Sequence, residues 1–153
     1  TDGDVATAEY VDRTLPLPYS PSDDLRVNST VTIGTALSPL DRAPANNPRI
    51  LDSTGHTLSR VTTGQQIQIA SEISNNEKNI QSFAYLVQIQ DSNGITVSLS
   101  WITGNLSPEQ TLSLGQSWEP KSPGSYTAQI FVWQGITDPD ALSSPLLLQI
   151  SVV

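Results

Sequence analysis

The only imidazole among the 153 residues is His56, in Ser53-Thr-Gly-His56. A Ser-His-Asp arrangement can be drawn around it on paper. No Gly-x-Ser-x-Gly elbow or other nucleophile context accompanies it, so the sequence offers no catalytic residue. There is no Cys and no Met. Disulfide scaffolds, zinc-thiolate sites and blue-copper centres are thereby excluded, since each needs Cys, and one His is too few for a copper site. Asp23-Asp24 and Asp138-Pro-Asp140 could offer oxygens to calcium. Neither has the spaced acids and glycine of an EF-hand loop, so both read as solvated loop acids. No cofactor or metal is expected.

Two groups carry more information. Asn28-Ser-Thr30 and Asn105-Leu-Ser107 are N-glycosylation sequons. Asn28 falls on the polar face of a strand pattern, and Asn105 is expected in a loop before Pro108. In a secreted protein both would carry covalent glycans. The three tryptophans present large flat faces on which a sugar could stack. Trp101 alternates in step with Val97 and Leu99 and is expected in the core, whereas Trp118 stands alone in Gln116-Ser-Trp-Glu-Pro. Trp133 shares a face with Phe131, opposite Tyr126, Ala128, Ile130 and Val132. With the latter set as core, Phe131 and Trp133 form an apolar spot on the outside, which marks a contact with a partner.

The formal net charge is −8, with two lysines in the chain, which argues against nucleic acid because phosphate must be neutralised by Lys and Arg. No run approaches the 18 or more apolar residues of a membrane-spanning helix, so no membrane insertion is expected. The chain begins at Thr1 and is rich in Ser and Thr, which leads to the expectation of a mature, secreted, extracellular protein.

The elements that position these residues are strands. In 66–73, Ile67, Ile69 and Ile73 alternate with polar residues, and in 83–90 Phe83, Tyr85, Val87 and Ile89 do the same. Asp91-Ser-Asn-Gly94 is a hairpin signal, and strands follow over 95–102, 111–114, 125–133 and 146–152, with a weak one at 58–61. No window has a helical period. About seven short strands without Cys predict an all-β, immunoglobulin-like β-sandwich over 49–153. Pro123-Gly-Ser-Tyr126 fits a tyrosine corner, although a Tyr simply facing the core would leave the same trace.

Phe83-Ala-Tyr-Leu-Val-Gln-Ile-Gln, the run Asp91-Ser-Asn-Gly-Ile-Thr-Val-Ser-Leu-Ser-Trp-Ile-Thr-Gly104, Pro123-Gly-Ser-Tyr-Thr and Phe131-Val-Trp-Gln resemble an Ig-like module of secreted surface proteins of ammonia-oxidising archaea (Thaumarchaeota). The resemblance covers 49–153 and is most specific around Trp101. It implies an extracellular module with no catalytic motif.

Residues 1–48 lie outside that match and read as an extended arm. They hold six of the eleven prolines, which rule out a long helix. Within the arm, 27–37 alternates cleanly, with Val27, Val31, Ile33 and Leu37 on one face. Such a strand can fold back on its own domain or add to a neighbour's sheet. A proline-rich spacer at 38–48 would favour exchange, and repeated head-to-tail exchange builds an open fibre. The expectation is a structural subunit of an archaeal surface assembly, a pilus-like filament of copies of itself or a complex with other surface proteins. The alternative is a binding or adhesion module for carbohydrate or a surface-layer partner, with Trp118 and Trp133 as contacts.

Overall fold

The computed structural model describes residues 37–153. Val27, Asn28, Val31 and Ile33 lie outside the described residues, and with them all of the 27–37 strand except Leu37, which is 43% exposed. After a short 3₁₀ turn at Pro39–Asp41 come seven strands: β1 (Ala45–Leu51), β2 (Ile67–Ser74), β3 (Gln81–Gln90), β4 (Thr96–Leu106), β5 (Thr111–Trp118), β6 (Gly124–Trp133) and β7 (Leu146–Val152). They form two antiparallel sheets, ordered β1-β2-β5 and β4-β3-β6-β7. The all-β, Ig-like sandwich expected from the alternation is the fold.

Alternating apolar residues from both sheets fill the space between them. Ile67, Ile69 and Ile73 from β2 meet Tyr85, Val87 and Ile89 from β3, with Ala128, Ile130 and Val132 from β6 and Ile150 from β7. The Tyr85 hydroxyl, buried here, pairs with Ser71 Oγ at 2.9 Å. Burial pushes the Tyr85 phenol pKa up, because the charged form would lose its water. The Tyr126 hydroxyl donates to the carbonyl of Ser122 at 2.9 Å, closing the tyrosine corner at the start of β6.

Two expected elements differ. Residues 38–48 are not a free spacer: Ala43 and Ala45 are buried, the Ala43 amide donates to Leu142 O, and Pro48 sits inside β1 at a break in register. Residues 58–61 do not make a ladder of their own. Only isolated bridges join Thr57 to Leu51 and Val61 to Val152.

The two long sides of the sandwich are unlike. Beside β7, the Val61 and Thr63 amides donate to Ser151 O and Val153 O, and Ala43 closes on Leu142. Beside β4 and β5, no further strand is present among the described residues. There β4 turns Ser98, Ser100, Ile102 and Gly104 inward, because these pair with the inward-facing Ile89, Val87, Tyr85 and Phe83. Small inward side chains leave that side thinly filled, and Ile102 stays 43% exposed.

Candidate functional site

The register of the four-stranded sheet decides what faces out. Residues directly opposite on antiparallel strands share a face, so Trp101, Leu86 and Phe131 stand in one row and Thr103, Ala84 and Trp133 in the next. A third row holds Leu99, Gln88, Gln129 and Leu147, and a fourth holds Asn105 and Ser82. All four rows lie on the outer face, opposite the core.

Trp101, Leu99 and Val97 are therefore not core residues, as the alternation suggested, but open to solvent at 52%, 54% and 46%. The reason is a bulge. Ile89 pairs with Ser98 and Gln90 with Thr96, so Val97 is the extra residue. The serines of Ser98-Leu-Ser100 take the inner positions and the apolar residues the outer ones. A strand pattern fixes which residues share a face and leaves open which face is buried.

Phe131 and Trp133 lie on this outer face, with ring centroids 6.0 Å apart and planes tilted by 47°. With Leu86, Leu99, Trp101 and Ile136 they line an open cleft of about 380 Å³, Gln88 being its one polar wall. Their cover is what buries Ala84 and Leu86 on the outward side of the central strand. None of the four strands of this sheet contains a charged residue. The smaller sheet differs: Arg49 and Glu72 approach to 3.7 Å there, and Arg49 donates to Ser113 Oγ.

Asn105 is in the last turn-ward stretch of β4 and not in a loop. Its side chain is exposed, and Oδ1 accepts a hydrogen bond from Ser82 Oγ at 2.9 Å. The turn carrying Ser107 of the sequon is fastened from below by buried Asn75. Its Nδ2 reaches the carbonyls of Asn79, Leu106 and Ser107 at 2.8–3.1 Å, and its Oδ1 accepts from the Glu77 amide. Nothing in the sequence pattern singled out Asn75.

A second groove, also about 380 Å³, opens between Val97–Ser98 and the end of β5. Trp118 and Tyr126 pack edge-on there with centroids 5.0 Å apart. Glu119 and Lys121, ion-paired at 3.0 Å, form its rim.

His56 builds a turn. Asp52 Oδ1 accepts from the Thr54 amide, the Thr54 hydroxyl and the His56 amide at 2.7–2.9 Å, while His56 Nδ1 contacts Thr54 Oγ1. These bonds, that from the Thr54 hydroxyl first, hold the Asp52 pKa down at about 2. The hydroxyl beside this pair, that of Thr54, donates to Asp52 Oδ1 and is held within the turn. Among the described residues no three His, Cys, Asp or Glu side chains gather to hold a metal, and Asp138 and Asp140 are exposed loop residues. No helix among the described residues is long and apolar enough to cross a membrane.

Residues 44–147 match the model of a family described as SlaA-like, S-layer A-like. Among solved structures, the chain is similar to the C-terminal domain of wzt (TM-score 0.60, 12% identity, 73% of this chain and 74% of that one). It is also similar to the CARDB domain of a Pyrococcus furiosus protein (0.54, 17%, 77% and 98%). A third likeness is to a domain of a Paenibacillus cycloisomaltooligosaccharide glucanotransferase (0.54, 18%, 71% of this chain but 14% of that much longer one). At these identities the likeness is one of fold. No curated protein matches the sequence.

Proposed function

Because the chain belongs to the S-layer A-like family, we propose that it is a structural module of a self-assembling extracellular surface layer of archaeal type. Copies are joined head to tail when the arm strand 27–37 of one adds along β4 of the next. The observation that carries this reading is the open side of the sandwich. β4 is the longest strand, with 11 residues, and it ends its sheet with an unpaired edge among the described residues. An edge of that kind is a template for an added strand. The arm segment 27–37 has the same length, and Val27, Val31, Ile33 and Leu37 would alternate over the gap left by Ser98 and Ser100. A heterologous contact of this kind repeats into a filament or an array strand. No enzymatic role is proposed, since no catalytic constellation is present among the described residues.

The test adds a synthetic peptide of residues 27–37 to protein 38–153. Saturable binding at one peptide per module is the expected result, abolished by Thr103→Pro in a module that still folds by circular dichroism. The alternation of bonded pairs from Asp91 and Ile95 turns the Thr103 N–H to the open edge, and proline removes that donor. No binding at any accessible concentration would refute strand addition. The second reading, a carbohydrate-binding module, is favoured by the groove at Trp118, where an aromatic wall meets paired Glu119 and Lys121. Glycan binding lost in Trp118→Ala, with assembly intact, would support it.

A further inference from the structure

The uncharged outer face of the four-stranded sheet raises a separate question. A chain of net charge −8 leaves Trp101, Leu99 and Leu147 exposed on one face, with Phe131 and Trp133 half-buried beside them. An exposed apolar patch of this kind is normally covered by something. Strand addition along the β4 edge does not cover it, because an added strand lies in the plane of the sheet.

We propose that the cover is a glycan of the chain itself: Asn105 is N-glycosylated, and the first sugars of its glycan lie across Trp133 and Trp101 into the cleft. Three observations lead there. Asn105 projects from the same outer face as the aromatic residues, one row beyond Thr103, Ala84 and Trp133. Stepping one row along and two strands across puts the Asn105 and Trp133 backbones roughly 12 Å apart, from a ~3.4 Å rise per residue and a ~4.8 Å strand spacing. That is within reach of the first few sugars of a glycan. The attachment geometry is also suitable. Oδ1 of Asn105 is turned to Ser82, while Nδ2, the atom that would be glycosylated, has no protein hydrogen-bond partner among the described residues. Buried Asn75 fixes the turn that presents Ser107. Finally, the cleft chemistry fits: aromatic faces for the C–H faces of a neutral sugar, Gln88 as a polar contact, and no charge that would select an ionic ligand.

The covalent step forms a bond between Nδ2 and the anomeric carbon of a lipid-linked glycan donor. The lipid phosphate leaves and Nδ2 loses one proton.

The test expresses the full chain in yeast, where the probe is a high-mannose glycan, in an Asn28→Gln background so that Asn105 is the only sequon. It is compared with the same chain carrying Ser107→Ala, which removes the sequon but keeps Asn105. Mass spectrometry should find the glycan on Asn105. Binding of a hydrophobic dye should be several-fold lower for the glycosylated form, and Trp133→Ala should abolish that difference while both forms stay folded by circular dichroism. An empty Asn105 overturns the proposal, as does equal dye binding by the two forms. So does dye binding that is low in both because the protein dimerises through this face, which sedimentation would reveal. Peptide capture along β4 is read separately and is unaffected by any of these outcomes.

Discussion

Removing the buried amide of Asn75 should loosen the turn under the Asn105 sequon at a measurable cost. The side chain is 1% exposed and makes four hydrogen bonds, three from Nδ2 and one to Oδ1. A neutral hydrogen bond contributes about 1 kcal/mol net, and a buried partner left unpaired costs about 1–3 kcal/mol. Three of these four contacts are part-buried, where water can replace the lost partner, and the Leu106 contact is buried. The estimate for Asn75→Ala is therefore about 2–4 kcal/mol. At roughly 4 °C per kcal/mol for a unit of this size, the melting midpoint should fall by about 8–16 °C. Urea unfolding followed by tryptophan fluorescence measures the free energy, and the slope m should be unchanged if only the folded state is affected. Asn75→Asp sharpens the test. It sets a carboxylate against three carbonyl oxygens in a buried site, so at neutral pH it should be less stable than Asn75→Ala. A loss below about 0.5 kcal/mol for Asn75→Ala, within the usual range for surface changes, would refute the reasoning.

Other outcomes follow from the same structure. Gly104→Ala should destabilise by about 1–3 kcal/mol in denaturant melts, because its Cβ would lie 3.1 and 3.2 Å from ring atoms of Phe83, whose ring is itself buried and has little room to give. Trp101→Ser should cost less than the ~3–5 kcal/mol of a buried tryptophan, since half the residue is already in water; thermal melts of the unglycosylated chain check this. Tyr85 titrates above its ordinary value of 10.0 when folded, so its contribution is fully present below pH 10 and is lost as pH rises toward the folded pKa. Stability measured from pH 9 to 12 should therefore fall for the wild type and much less for Tyr85→Phe.

How much of this was legible in the sequence depends on what kind of fact each feature is. The strands of Ile67, Ile69 and Ile73, and of Phe83, Tyr85, Val87 and Ile89, were readable because both their periodicity and their inward phase agree with the core. The outward placement of Phe131 and Trp133 followed from a choice between two faces of β6, one of which held Ala128, Ile130 and Val132. Trp101 was misplaced because β4 is apolar on its outer face and small on its inner one, and the bulge at Gln90 and Thr96 that sets its phase has no local signature. The role of 38–48 was hidden for a related reason. Its prolines read as a spacer, while Ala43 and Ala45 are too small to announce burial that depends on Leu142 nearly a hundred residues away. Asn75 shows the same limit, since its partners Leu106 and Ser107 come from the end of β4 and the turn after it, some thirty residues on.

Negative-stain electron microscopy of the purified full chain, beside a variant lacking residues 1–37, tests the central claim most directly. The account predicts filaments or ordered arrays from the full chain, and discrete particles both from the truncated one and from the full chain carrying Thr103→Pro. Discrete monomers in both samples, or equal assembly in both, would contradict strand exchange through the arm.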